Sequence, residues 1–385
     1  MFPQFNLLST PLLIFVSQGM IFALLLLWRY YHKRKVTDLL IALILLLMVY
    51  HRTAYTIGFM GWYDTFEHTK INYYIFSLGL AAGPLIYLYI RTVLEAPFKF
   101  MKKDWWHFLP VGLFILYRLV ILAHDASQPD WNQGYEGEWQ SNFHSVYVDP
   151  IMYQLQFSSM LLYLAFTIQL FVGYRKKVQQ FFSNTYKLEL RWIQIFLTVY
   201  CFLFVYGAMT DLIDALITDL SYVHRWWVHF FSAIAVVLFG IKAYFTDLTT
   251  LHELTFEVGE VVLGKEDHLA KDYSKEKQKL SIFLEKERSY LRPDFTLKDL
   301  SRGIGKSIHD TSEIINSGFG CNFNEFVNRY RVEEVKRRLA HPDFDHLSIL
   351  AIALDSGFNS KASFNRIFKQ MTGLSPSAFK AGQQH

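Results

Sequence analysis

Two sets of side chains in this 385-residue sequence have types and spacings that could do chemistry, and they lie in different halves of the chain. In the second half, Lys361, Asn365 and Lys369 recur at i, i+4 and i+8 with Arg366 beside them, so a helix would carry them on one face. An asparagine amide can meet an adenine edge bidentately and a lysine or arginine a guanine, while further basic groups suit phosphates. In the first half, Arg52, Arg118, Asp211, Asp214 and His229 interrupt long apolar runs, with Gln18, His51, Asn72 and Gln154 at similar or slightly deeper levels. A polar group in such a run costs free energy unless it faces a partner or a cavity. Signs of enzymatic chemistry are few. No phosphate-binding GxxxxGK loop, HExxH or GxSxG occurs, and His309-Asp310 near Glu313 has no recognisable metal-ligand spacing, so no metal or cofactor is expected.

The elements that must hold these residues differ between the halves. With 52% hydrophobic and 19% charged residues the chain is too apolar for intrinsic disorder, and two cysteines are too few for a disulfide framework. Before about residue 245 the apolar residues are gathered into seven windows, near 10–31, 38–60, 70–92, 105–123, 151–173, 192–217 and 223–245. A hydrocarbon core about 30 Å thick takes roughly 20 helical residues to cross, so 1–245 reads as a seven-span membrane domain. The first span has its basic cluster after the apolar run and no cleavage site, so it is expected to stay as an anchor.

Lys and Arg concentrate in the first, third and fifth joints, within 29–35, 91–103 and 175–191, whereas the other joints carry Lys70 and Arg225 alone. The positive-inside bias then puts the N-terminus outside and the chain after residue 245 in the cytoplasm. The nine intramembrane polar residues gather in the outer part of the bundle. They suggest an outward-facing ligand pocket with Arg52 and Arg118 opposed by Asp211 and Asp214. Structural ion pairs among the same four are an equal alternative. The joint 124–150, with Trp131, Tyr135, Trp139 and Phe143, reads either as a lid or as an exposed loop.

Residues 246–290 read as a juxtamembrane linker ending in an amphipathic helix, 274–288, a candidate dimerisation or relay element. Pro293 breaks that helix, and 291–385 is a domain of short helices. Thr296 and Ser307 begin two of them as caps. The second turns Thr311, Ile314 and Ile315 inward and leaves His309, Asp310, Ser312, Glu313 and Asn316 outward. A long helix over 323–340 has Phe323, Phe326, Val327, Val335 and Leu339 on one side and Arg329, Arg331 and Lys336 outside. The two-helix pattern then recurs, with Ser360 as cap and Phe364, Ile367 and Phe368 buried. Thr311 and Phe364 are equivalent points 53 positions apart, so the unit is an internal duplication of a helix-turn-helix.

The stretch IALDSGFNSKASFNRIFKQMTGLSPSAFK (352–380) resembles the DNA-binding domain of AraC/XylS-type bacterial transcription regulators, and NFNEFVNRYRVEEVKRRL (322–339) resembles that family's linker helix. The resemblance covers about a quarter of the chain. It implies two recognition helices in successive major grooves, about 34 Å apart. It assigns base contact to 308–313 (His309, Asp310, Ser312 and Glu313) and to Ser360, Lys361, Ala362 and Asn365, with Arg366 and Lys369 near the backbone. Thr311 departs from the family's usual leucine, which puts firm packing of the first unit in doubt.

The layout as a whole also resembles family members whose sensor is a membrane bundle, as GPLIYLYIR (83–91) and WWHFLP (105–110) suggest. The expectation is an all-α, non-enzymatic, one-component regulator of the bacterial inner membrane. Its partners would be double-stranded promoter DNA, RNA polymerase, the lipid bilayer, an extracellular or periplasmic ligand and a second copy in a homodimer. A membrane enzyme or transporter whose C-terminal domain only binds proteins is the rival reading.

Overall fold

Long apolar runs must be helical where they meet hydrocarbon, because a helix satisfies every backbone N–H and C=O within its own segment. The computed structural model describes residues 2–66, 78–95, 98, 100–129, 131, 137–185, 190–245 and 273–382, and they are helical throughout apart from turns and one isolated bridge. The chain divides into two units, Met1–Phe171 with Trp192–Thr255, and Val172–Arg191 with Phe256–His385.

The apolar helices are α1 (Ser9–Lys33), α2 (Val36–Phe59), α3 (Ala82–Leu94), α4 (Leu109–Ala126), α5 (Asp149–Phe181), α6 (Arg191–Leu216) and α7 (Trp226–Phe245). Six of them, all but α3, belong to segments long and apolar enough to cross a membrane. The seventh expected span, 70–92, is seen only as α3 and the turn before it, and its residues 70–77 lie outside the described residues. Helix α1 packs on α2 and α7, and α2 also on α3. Leu12, Leu26, Leu45, Leu88 and Ile90 are fully buried there. Arg29, one of the basic residues that set the expected orientation, also ties three helices together. It donates to Asp38 at 2.6 Å and to the carbonyls of Ala243 and Tyr244.

The joint 124–150 is not an open loop over its second part. Residues 139–148 are π-helical and run straight into α5. Asp125 accepts the backbone N–H groups of Trp139 and Gln140, both at 3.0 Å, which places a carboxylate at the positive end of the helix dipole.

The second unit contains α8 (Ser274–Glu287), α9 (Leu297–Ile304), α10 (Ile308–Glu313), α11 (Phe323–Leu339), α12 (Ile349–Asp355), α13 (Lys361–Thr372) and α14 (Pro376–Ala381). Thr296 and Asp299 form a reciprocal capping box on α9. Two apolar cores result, and α11 joins them: Phe323, Phe326 and Val327 enter the first, Val332, Val335 and Leu339 the second. Helix α8 was expected to lie outside this domain. Its Leu280 and Leu284 are instead buried in the first core, so the folded unit begins N-terminal to 291 and the helix's apolar face is already covered.

Glu334 lies on α11 and accepts from Arg288, Arg337 and Arg338 at 2.5, 2.8 and 2.6 Å. Burial alone would raise its carboxyl, but hydrogen bonds from Arg337 and Arg338 and the charge of Arg288 outweigh burial and hold it at about 2. A carboxyl lowered on folding stabilises the fold above its unfolded value of about 4.3 and loses that contribution as pH falls towards the folded value. Glu334→Gln is therefore expected to destabilise this unit at pH 7 by about 1–3 kcal/mol. It should also flatten the loss of stability on acidification that the native chain shows below its unfolded carboxylate range. Chemical denaturation of the full chain at neutral and acid pH measures both, and an unchanged midpoint at pH 7 would refute the assignment.

Candidate nucleic-acid interface

Helix α13 begins where Ser360 accepts the Ser363 N–H at 3.2 Å and ends at Gly373 in the left-handed region. Its apolar residues Phe364, Ile367 and Phe368 are buried. That packing leaves Lys361, Ala362, Asn365, Arg366 and Lys369 exposed, with Ser360 half-buried at the helix start. The expected reading face is therefore formed as one surface. Two side chains able to pair with base edges lie in its first two turns, and Lys369 follows one turn further on.

Helix α10 begins in the same way, with Ser307 accepting the Asp310 N–H at 3.0 Å. The two caps, Ser307 and Ser360, are 53 positions apart, as are Thr311 and Phe364. Thr311 is fully buried, and its hydroxyl donates to the Ser307 carbonyl at 2.8 Å. The position that departs from the family pattern thus keeps its polar atom satisfied inside the core.

On the outer side of α10, His309, Asp310 and Asn316 are exposed. Ser312, expected to face outward, is only 7% exposed. Its short side chain lies along its own helix, where its hydroxyl accepts from Asn316 Nδ2 at 3.3 Å. Glu313 is half-buried and accepts the Tyr273 hydroxyl at 2.6 Å. The same hydrogen bond holds the Tyr273 phenol above its usual range. His309, Asp310 and Glu313 bring ligand atoms within 4.8 Å of one another. Two of them are exposed and the third already serves Tyr273, so the geometry adds nothing to the expectation of no metal.

Arg329, Arg331 and Lys336 of α11 are expected on its outer side, as contacts to the DNA backbone or as part of the linker helix. Arg329 is exposed and pairs with Glu325 at 3.3 Å, and Lys336 is half-buried and pairs with Glu333 at 2.7 Å. Arg331 must be reassigned, because it is only 1% exposed. Its guanidinium donates to the carbonyls of Tyr290 (2.7 Å), Arg292 (2.8 Å) and Ser183 (3.0 Å) and to the Ser183 hydroxyl (2.9 Å). A cation so held cannot reach phosphate.

The intramembrane polar residues are not opposed as expected. Arg52 donates to Ser232 Oγ at 2.9 Å and to the Met48 carbonyl at 2.8 Å, and His51 bonds the Leu47 carbonyl. His229 stacks on Tyr55, with ring centroids 3.4 Å apart. Arg118 is buried against Gln140 at 2.7 Å. Asp214 pairs with Arg225, which also lies 3.9 Å from Asp211, and Asp211 accepts the Tyr153 hydroxyl. Gln18 and Gln154 are exposed, and Asn72 lies outside the described residues. The partner missed in sequence is Arg225. It follows a short turn after α6, where an antiparallel helix returns opposite Asp214.

Two capped helices in duplicated units joined by one long helix are the arrangement of a helix-turn-helix DNA-binding domain. Residues 300–382 match the family described as "Helix-turn-helix domain", and this part of the chain is an AraC-type domain. A similar protein is an uncharacterised HTH-type transcriptional regulator of Staphylococcus aureus strain COL, 34% identical over 91 residues, which are 24% of this chain and 12% of that one. The regulatory protein PocR of Salmonella typhimurium is 29% identical over 92 residues, 24% of this chain and 29% of its own. The chain thus spans about an eighth of the staphylococcal relative and under a third of PocR. No solved structure matches. The relatives are regulators by name, and the likeness gives the rival enzyme reading no support.

Proposed function

We propose that this chain is a membrane-anchored transcription regulator that binds promoter DNA through residues 273–382 and receives its signal through the helices before residue 246. The observation that carries this reading is the exposed face of Lys361, Asn365, Arg366 and Lys369 on a capped helix, in the same chain as six helices able to cross a membrane. Orientation is supported by a parity argument. Two spans, α6 and α7, separate the basic joint 175–191 from residue 246, so that joint and the DNA-binding domain share one side whatever happens at 70–92. DNA is on the cytoplasmic side, which agrees with the positive-inside bias.

The reading extends to a bacterial inner-membrane location, an outside or membrane-borne signal, RNA polymerase at the promoter and pairing of two copies. For the intramembrane polar residues, the separate pairings of Arg52, Arg118 and Arg225 favour bundle-holding contacts over one ligand pocket.

The test is genome-wide mapping of DNA bound by the full chain in its native membrane. Discrete sites sharing a motif are expected, with two elements about one helical turn (roughly 34 Å) apart and occupancy falling steeply as salt rises. Bound DNA without a shared motif would overturn the reading.

A further inference from the structure

Residues 181–185, the last residue of α5 and the four that follow it, fold onto the DNA-binding unit to which they belong. Phe182 forms an antiparallel bridge with Thr296. Ser183 donates through both its N–H (3.3 Å) and its hydroxyl (2.5 Å) to the Phe295 carbonyl. Asn324 Nδ2 donates to the carbonyls of Phe182 and Ser183 at 3.3 and 2.8 Å, and Phe181 packs on the first core. Ser183 is 1% exposed. Arg331 completes the contact, giving Nη1 to the Ser183 carbonyl and sharing Nη2 between the Ser183 hydroxyl and Arg292.

The place of this contact matters more than its size. Arg331 lies on α11 between Val327, which belongs to the first core, and Val332, which belongs to the second. A Cβ on Gly357, in the turn before α13, would lie 2.8 Å from Arg331 Nε. The segment therefore docks where the two helix-turn-helix units meet. The partners named above are on neither α10 nor α13, and His309, Asp310, Lys361 and Asn365 stay exposed while it is docked. By chain connection the docked segment is also the joint between α5 and α6, so a stimulus that shifts these helices acts on it directly. Undocking would leave the buried donors of Arg331 and the half-buried amide of Asn324 without their acceptors, which favours two discrete states, docked and released.

We infer that segment 181–185 is a control contact: docked against Phe295, Asn324 and Arg331, it fixes the mutual placement of the two recognition helices, and its release loosens that placement. The signal then has a route that does not run through 246–272. The inference rests on the reading that this joint and the DNA-binding domain share the cytoplasmic side.

The experiment uses the full chain in lipid nanodiscs, with Cys201→Ala and Cys321→Ala, and no DNA. Phe182→Cys with Thr296→Cys is expected to form an intrachain disulfide on mild oxidation, since bridge partners bring Cβ atoms within bonding range. Spin labels at His309→Cys and Lys361→Cys should report a single narrow distance. Ser183→Pro removes a docking N–H, and the milder Asn324→Ala removes the two hydrogen bonds that reach the segment, together with the one Asn324 accepts from Asn328 within α11. Each should cost the chain that single distance. Absence of the disulfide, or a narrow distance that survives Ser183→Pro, would overturn the inference. Because neither measurement needs DNA, the control contact and the regulator reading fail separately.

Discussion

Gly357→Ala is expected to abolish sequence-specific DNA binding by the full chain and to unfold the second helix-turn-helix unit at temperatures the native chain withstands. Gly357 has φ +92°, a conformation that L side chains rarely adopt. A Cβ there would lie 2.5 Å from the Tyr290 carbonyl oxygen and 3.0 Å from that of Leu291. These are backbone atoms and cannot swing aside, and the Tyr290 carbonyl is further held by Arg331. Backbone strain of about 1–2 kcal/mol and overpacking of about 1–3 kcal/mol add to a loss comparable with a large part of a domain's stability, about 5–15 kcal/mol. Gly373→Ala is the control. Its φ is +76°, but nothing lies within 4 Å of the added carbon, so it should cost only the backbone strain. Thermal unfolding of both variants decides the matter: similar midpoints would show that the close approach to Tyr290 is not what fixes this turn.

Legibility in the sequence followed the range of the contacts. The caps at Thr296, Ser307 and Ser360 were readable because each hydrogen bond reaches three residues along the chain. The inward sets of α10, α11 and α13 were readable from period alone, since a helix buries a fixed stripe. Arg331 was misread because a basic residue on a basic helix looks exposed, while its acceptors come from residues 183, 290 and 292. Glu313 likewise reads as an outward, base-facing residue because Tyr273 lies forty positions away. The pairing of Arg225 with Asp214 is not legible in the sequence, where the arginine reads only as a topological marker. In each case the period located the backbone correctly, and a distant chain segment decided what the side chain does.

Lys361→Ala and Asn365→Ala are expected to change which bases the full chain prefers, whereas Lys369→Ala should weaken binding to every sequence alike. A bidentate base contact is worth about 1–3 kcal/mol of discrimination, roughly a factor of 5 to 150 at the affected base pair. Both residues lie in the first two turns of α13, the part that reaches base edges when such a helix enters the major groove. Lys369 lies a turn further on, where a lysine meets phosphate, and its loss should lower the salt slope by about 1. The first unit sets the contrast. Glu313 is engaged by Tyr273 and Ser312 is buried, so only His309 and Asp310 stand clear in the first turn of α10. Substitutions at 312 and 313 should therefore shift base preference less than those at 361 and 365, and the second half of the DNA site should be the more sharply defined. Binding of randomised duplexes to the full chain and to each variant measures this. Equal loss of discrimination in both halves of the site on Lys361→Ala would mean that α13 does not read the bases assigned to it.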